Sequence, residues 1–329
     1  ALSLSFFSTS KVKAKAFFID DIEIQEKLEN NFNKEILINK GFKKAFHKLM
    51  TKLIQSKDLI KIKNVKLNEI KSMIETFTIK EEKFINQTYN LNLGVSFNKK
   101  HVLNYLYKKN IFPSQIKEEK FLFIPILLDQ FKNDILVYSK NPVYSNWKAE
   151  NSKNQLIEYI LPTEDLEDLN LIRKNYLEIE NYDFEKIIEK YFIKNSIIAV
   201  FFKNQDEIKV LSKITIQNKK VIKTNSFKNI DLNKNNDLGK LIYNLKVVYE
   251  DFWKENNLIN TSIKLPIMIH LDNKNFELSL KFEKALNSID FINNFTIRKF
   301  DKDFILYEII FNGTPQNFIN IMEEQNFSL

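Results

Sequence analysis

The chain has 329 residues, 44% hydrophobic and 28% charged, with four glycines and six prolines, so a disordered chain and long flexible linkers are excluded. The formal net charge is +8, but Arg173 and Arg298 are its only arginines. The planar fork that reads base edges is therefore scarce, and specific nucleic-acid recognition is not indicated. The dispersed lysines read as solvated faces, with a diffuse affinity for anionic surfaces as the alternative. The absence of cysteine excludes disulfides, thiolate metal sites, a cysteine nucleophile and a lipidated cysteine.

Residues 1–16, ALSLSFFSTSKVKAKA, end in the pattern Ala14-Lys15-Ala16, of the kind that signal peptidase cuts. They read as the tail of a secretory signal, with the mature chain starting at Phe17. An amphipathic or disordered tail is the other reading. No later segment has the apolar length to span a bilayer.

A first αβ module is expected over 17–110. IDDIEI suggests an edge strand. Ile38, Phe42, Ala45, Phe46, Leu49, Met50 and Leu53 form the stripe of an amphipathic helix, with Asn33 as its cap. Gly41 within it marks close packing, and His47 is read as structural. A second helix is expected over Leu67–Phe77, then one alternating strand over Phe84–Phe97. Asn98 caps a helix over Lys99–Asn110.

A central module is expected over 111–259. Its axis is Phe121–Leu128, FLFIPILL, an unbroken apolar run that fits a strand buried on both faces. Ser196–Phe202 is a second run of the same kind. Two such strands among helical segments predict a sheet flanked by helices. Asn141-Pro142 marks a turn. Beyond it Tyr144 and Trp147 are either a binding patch or core anchors. A strand Leu156–Leu161 leads into LPTEDLEDL, the densest local signature. Thr163 is its candidate cap, and Glu164, Asp165, Glu167 and Asp168 sit where acidic groups offset a helix dipole. A carboxylate metal site or an acid–base pair is the alternative, but no histidine is near and the calcium-loop spacing is absent. A helix over Asp183–Phe192, two strands turning at Gln217-Asn218 and a long helix over Asp237–Glu255 complete the module.

A third module is expected over 260–329, in the order βαββα. Ile263–Leu271 is a strand, in which Pro266 argues for an edge or a bulge. A helix over Asp272–Ser288 and a hairpin of Phe291–Phe300 with Phe304–Phe311 follow. Thr314 and Pro315 open the last helix. The order partly echoes the first module, but no residue-level repeat is seen to support duplication. The fold class expected for the whole is α+β, built of several small mixed modules.

The order of these signals resembles a family of exported proteobacterial proteins known only as a domain of unknown function. The features that carry it are the leader, the helix KGFKKAFHKLMTKLI, YNLNLGVSFN running into HVLNYLYKKN, then FLFIPIL and Trp147. LPTEDLEDL, FWKE and the βαββα tail closing at YEIIFNG follow. The first helix departs from the Arg- and Ala-rich form more usual there. The resemblance implies a soluble periplasmic protein that is not an enzyme, and it brings no catalytic residue, metal or cofactor. The partner it implies is another envelope protein, with Tyr144, Trp147, Glu164, Asp165 and Asp168 as the candidate interaction surface. The chain has no GxSxG, HExxH, Walker loop or GxGxxG. A lysine-rich polyanion-binding module is the alternative, and a carboxylate-dependent hydrolase the third.

Overall fold

The computed structural model describes residues 17–28, 32–148, 155–205, 207–216, 219–260, 262–272, 276–289 and 291–328. The leader reading for residues 1–16 and the turn at Gln217-Asn218 lie outside them. The protein is α+β, and it divides into two compact units, 1–116 with 257–329, and 117–256. The segments read as first and third modules thus share a unit, with the central one between them in the chain.

The first unit begins with β1 (Phe18–Lys27), α1 (Lys34–Leu53), α2 (Leu67–Met73), β2 (Ile74–Ile85), β3 (Thr88–Phe97) and α3 (Lys99–Lys108). Asn33 caps α1 by accepting from the Glu35 amide at 2.8 Å. The predicted stripe packs on the sheet, and a Cβ at Gly41 would lie 2.5 Å from Ile24 Cδ1. The glycine is there because helix and strand nearly touch.

Two expectations fail between Leu67 and Phe97: the second helix is shorter than read, and the single strand over Phe84–Phe97 is the end of β2, a turn and β3. The second helix stops at Met73 rather than Phe77, and the following residues form β2, a hairpin partner of β3. Ile74 and Phe77 fit a helical spacing, but the β-branched run around Phe77 favours the extended chain. Asn86 and Gln87 make the two-residue turn, both at positive φ (50° and 59°), as the twist of a tight hairpin requires. The strand order is β1-β3-β2, all antiparallel. Leu91, Leu93, Val95 and Phe97 of β3 are buried in the core, and Asn90, Asn92, Gly94 and Ser96 alternate with them on the other face.

The second unit holds β4 (Glu119–Asp129), β5 (Asp134–Leu136), α4 (Pro142–Asn146), β6 (Ile157–Ile160), α5 (Leu166–Lys174) and α6 (Glu185–Glu189). β7 (Asn195–Asn204), β8 (Glu207–Ile216), β9 (Lys219–Lys228) and α7 (Asn235–Asn256) follow. The sheet order is β5-β4-β7-β8-β9, with β6 also paired to β4. β6 and β7 run parallel to β4, and the other pairs are antiparallel. β4 has no wet face: every residue from Phe121 to Asp129 is buried. Leu122, Ile124, Ile126 and Leu128 cluster with Ile172 of α5 and Ile187 of α6. Phe121 and Phe123, on the opposite side, meet Trp253 and Tyr249 of α7. The helix expected over Asp183–Phe192 is only Glu185–Glu189.

The chain then completes the first unit with β10 (Leu265–Asp272), α8 (Phe276–Ser288), β11 (Ile292–Phe300), β12 (Phe304–Phe311) and α9 (Pro315–Glu324). The strand order is β10-β12-β11, again antiparallel. Pro266 lies on the edge strand β10, and Thr314 caps α9 through the Asn317 amide at 3.3 Å. Asp272, expected in the helix, is the last residue of β10. Phe282, Leu286, Tyr307, Ile309 and Phe318 are among the residues of a separate core.

The close approach at Gly41 predicts that Gly41→Leu destabilises the protein by about 1–3 kcal/mol through overpacking. Urea unfolding of the variant beside the parent measures it.

Candidate functional site

Asn141 forms no simple turn. It is fully buried, caps α4 by accepting from the Val143 amide at 3.0 Å, and donates to the Pro125 carbonyl at 3.1 Å. Trp147 ends that helix with 0% exposure. Its ring stacks on Phe123 at 3.8 Å and meets Tyr159 edge-on. Trp147 is therefore a core anchor and leaves the candidate surface: an indole among aromatic side chains of β4, β6 and α7 cannot meet a partner.

The other four candidates converge around the loop after β6, and their polar groups hold that loop in place. Tyr144 donates to the Pro162 carbonyl at 2.7 Å. Glu164 accepts from the Ser139 amide at 3.1 Å, and the Thr163 amide donates to the Tyr191 hydroxyl at 2.9 Å. Asp165, not Thr163, caps α5. Its carboxylate accepts from the amides of Glu167 at 2.7 Å and Asp168 at 3.1 Å. The helix starts two residues later than read, at Leu166, because Asp165 reaches both free amides itself.

Lys190, just past α6, closes the cluster at 2.7 Å from Asp168 and 3.2 Å from Asp165. Asp168 is 1% exposed, and its Oδ2 has no hydrogen-bond partner among the described residues. The Asp168 amide and the Lys190 ammonium hold the Asp165 carboxyl below its usual range. The hydrogen bond to Asp168 raises the Lys190 ammonium. Burial, with the Asp168 charge behind it, raises Tyr138. No group of three or more metal-ligating side chains among the described residues could hold a metal ion. What this arrangement does is fasten α5 to the end of α6.

A second polar cluster lies on the buried strip of α7, and sequence reading passed over it. Ile242, Lys246, Glu250 and Lys254 recur at every fourth residue, so they form one row along the helix. Ile242 belongs to the apolar stripe of the sequence, and the four-residue spacing from it was the available signal that the three charges after it are buried too. Glu250 accepts from the Leu156 amide at 3.0 Å and the Ile157 amide at 2.8 Å. Its carboxylate thus stands in for a neighbouring strand at the start of β6. Lys246 donates to the Trp147 carbonyl at 2.8 Å and lies 5.2 Å over the indole ring. Burial raises the Glu250 carboxyl and lowers the Lys254 ammonium.

Compared with known proteins, the chain matches no family model and no curated sequence. Among the described residues no helix is long and apolar enough to cross a membrane.

Removing the cap with Asp165→Ala lowers stability at neutral pH, read by chemical denaturation as a lower midpoint. The folded carboxyl is more acidic than the unfolded value of 3.8. The ionic part of its contribution is therefore present above that value and fades as pH falls through the folded one. Glu250 behaves in the opposite sense, because its folded value lies above 4.5. Relative to Glu250→Gln, the parent loses stability as pH rises from 4.5 through the folded value. Glu250→Leu leaves two buried amides unpaired and costs about 1–3 kcal/mol for each.

Proposed function

We propose that this is an exported protein of a bacterial cell envelope that acts by binding another envelope protein and performs no catalysis. The observation that carries the reading is Phe192, a phenylalanine 96% exposed at a positive φ of 53°. A non-glycine residue in the left-handed region costs about 1–2 kcal/mol, and here no burial of the ring offsets it. Leu177 (92%), Phe131 and Leu166 are also displayed to solvent by the same unit. Single exposed apolar side chains are ordinary on a protein surface, so the proposal requires these to act as one patch under a partner. The Ala14-Lys15-Ala16 pattern and the resemblance to exported proteobacterial proteins support the compartment. The partner surface proposed is accordingly built on Phe192, with the exposed Leu166 and Leu177 as its further members.

The test is a photo-reactive amino acid at position 192 of the natural precursor, expressed in a proteobacterium that carries it. A discrete adduct with one envelope protein, abolished by Leu177→Ser, is the expected result. Leu177→Ser itself changes stability by less than about 0.5 kcal/mol, because its side chain touches little. The absence of any adduct, or an uncut product found in the cytosol, overturns the reading. Binding to heparin that weakens steeply with salt at an unmodified Phe192 favours the polyanion alternative.

A further inference from the structure

We infer that the first unit is one βαββα module present twice, with the second unit inserted between the copies. The hairpins carry the argument. In β2 the register slips between Ile74 and Thr76 and again between Ile79 and Glu81. In β11 it slips between Ile292 and Asn294 and again between Ile297 and Lys299. Ile74 faces Phe97 and Ile292 faces Phe311; Phe77 faces Val95 and Phe295 faces Ile309; Ile79 faces Leu93 and Ile297 faces Tyr307. The two pairing maps are the same, bulge for bulge. A three-stranded antiparallel sheet does not require two bulges at matching places in its outer hairpin strand.

The residues agree with the register. Ile74-x-x-Phe77-Thr78-Ile79-Lys80 in β2 stands opposite Ile292-x-x-Phe295-Thr296-Ile297-Arg298 in β11. The second bulge residue is a cation in both, Lys80 paired with Asp20 and Arg298 with Glu308 at 2.7 Å. On the first helix, Phe42-x-Lys44-Ala45-Phe46-x-x-Leu49 matches Phe282-x-Lys284-Ala285-Leu286-x-x-Ile289, and the apolar members of both sets are buried.

The last helices match as well. Asn98 and Thr314 are the caps, and Val102 and Leu106 correspond to Phe318 and Met322 at the same distances from them. Both helices end on an asparagine at positive φ, Asn110 (54°) and Asn326 (64°). The next amide turns back in each case, Ile111 to the Leu106 carbonyl at 3.0 Å and Phe327 to the Met322 carbonyl at 2.9 Å.

The insertion point is also visible. The Gln115 amide donates to the Asn257 carbonyl at 2.8 Å, and the Ile259 amide to the Pro113 carbonyl at 2.7 Å. The chain leaves the first unit and re-enters it across one antiparallel bridge. The copies differ on the outer face of the sheet. Asn90, Asn92, Gly94 and Ser96 in the first stand where Phe304, Leu306, Glu308 and Ile310 stand in the second. The core was kept and that surface was changed.

Equivalence of positions is tested in the full chain by writing the β2 sequence into β11. This is the five-fold variant Asn293→Glu, Asn294→Thr, Arg298→Lys, Lys299→Glu and Phe300→Glu. The control carries the same nine residues displaced by one position, which turns each side chain to the wrong face. The aligned variant is expected to keep a cooperative transition within about 5 °C of the parent, and the displaced one to lose it. Equal damage in both overturns the inference. As a second measurement, Ala45→Leu and Ala285→Leu, which overpack equivalent helix positions, are each expected to lower the midpoint. A normal midpoint for Ala285→Leu beside a lowered one for Ala45→Leu also overturns it.

Discussion

β4 is taken out of water on both faces, and the layout of the second unit follows from that constraint. An alternating strand needs one covering layer; a continuous apolar strand needs two. α5 and α6 supply one, against Leu122, Ile124 and Ile126, and α7 supplies the other, against Phe121 and Phe123. β7 repeats the demand beside it, with Ile197, Ile198, Ala199 and Val200 buried in succession. The covering layers then meet a further constraint. β6 pairs with β4 along four residues only, so its approach has backbone amides without a strand to receive them. Glu250 receives those amides from the side of α7. A buried carboxylate on a packing helix is thus a consequence of a short strand in a deeply covered sheet.

The same logic accounts for the acidic loop after β6. A parallel strand that hands over to a helix across a short connection must turn sharply, and the turn exposes the first amides of that helix. Asp165 takes two of them, and Lys190 bridges Asp165 and Asp168 so that the acidic pair does not repel itself. Tyr144 and Tyr191 hold the preceding residues from outside. Apart from the buried Oδ2 of Asp168, the polar chemistry concentrated there goes into positioning the loop. Phe192, by contrast, turns the chain at the end of α6 with its amide on the Glu189 carbonyl at 3.3 Å, but its ring is exposed and packs on nothing in its unit.

What was legible in the sequence divides along physical lines. Phe121–Leu128, Ser196–Phe202, the helix of Leu238 to Phe252 and the Thr314-Pro315 start each have one dominant signal: continuous apolarity, a sustained stripe, or a cap with proline at the first turn. The α+β class follows from them. Ile74 and Phe77 were misread because a spacing of three fits a helix as well as a bulged strand, and a bulge changes the period locally. Thr163 was preferred to Asp165 because composition does not say which of several polar residues reaches the free amides. Trp147 could be placed on a surface or in a core on the same residues, and only Phe123, Tyr159 and Tyr249 around it decide. Lys246 and Glu250 were passed over because charge is ordinarily a sign of exposure.

The internal repeat was hidden for a different reason. Its two halves are separated by the whole second unit, and the first copy carries an added segment with α2 between its first helix and its hairpin. A comparison by element order sees only a partial echo. The pairing register removes that difficulty, because it fixes which residues occupy equivalent places whatever lies between them. Once Ile74 is set on Ile292 and Phe97 on Phe311, the shared Phe-Thr-Ile stretch and the cationic bulge fall into line without further choice. The outer faces then read as a controlled comparison. The first copy shows that this sheet is compatible with Asn90 and Asn92 in the positions that Phe304 and Leu306 occupy in the second. Folding of the module therefore does not demand apolar side chains there, and their presence in one copy alone is a property of that copy's surroundings rather than of the fold.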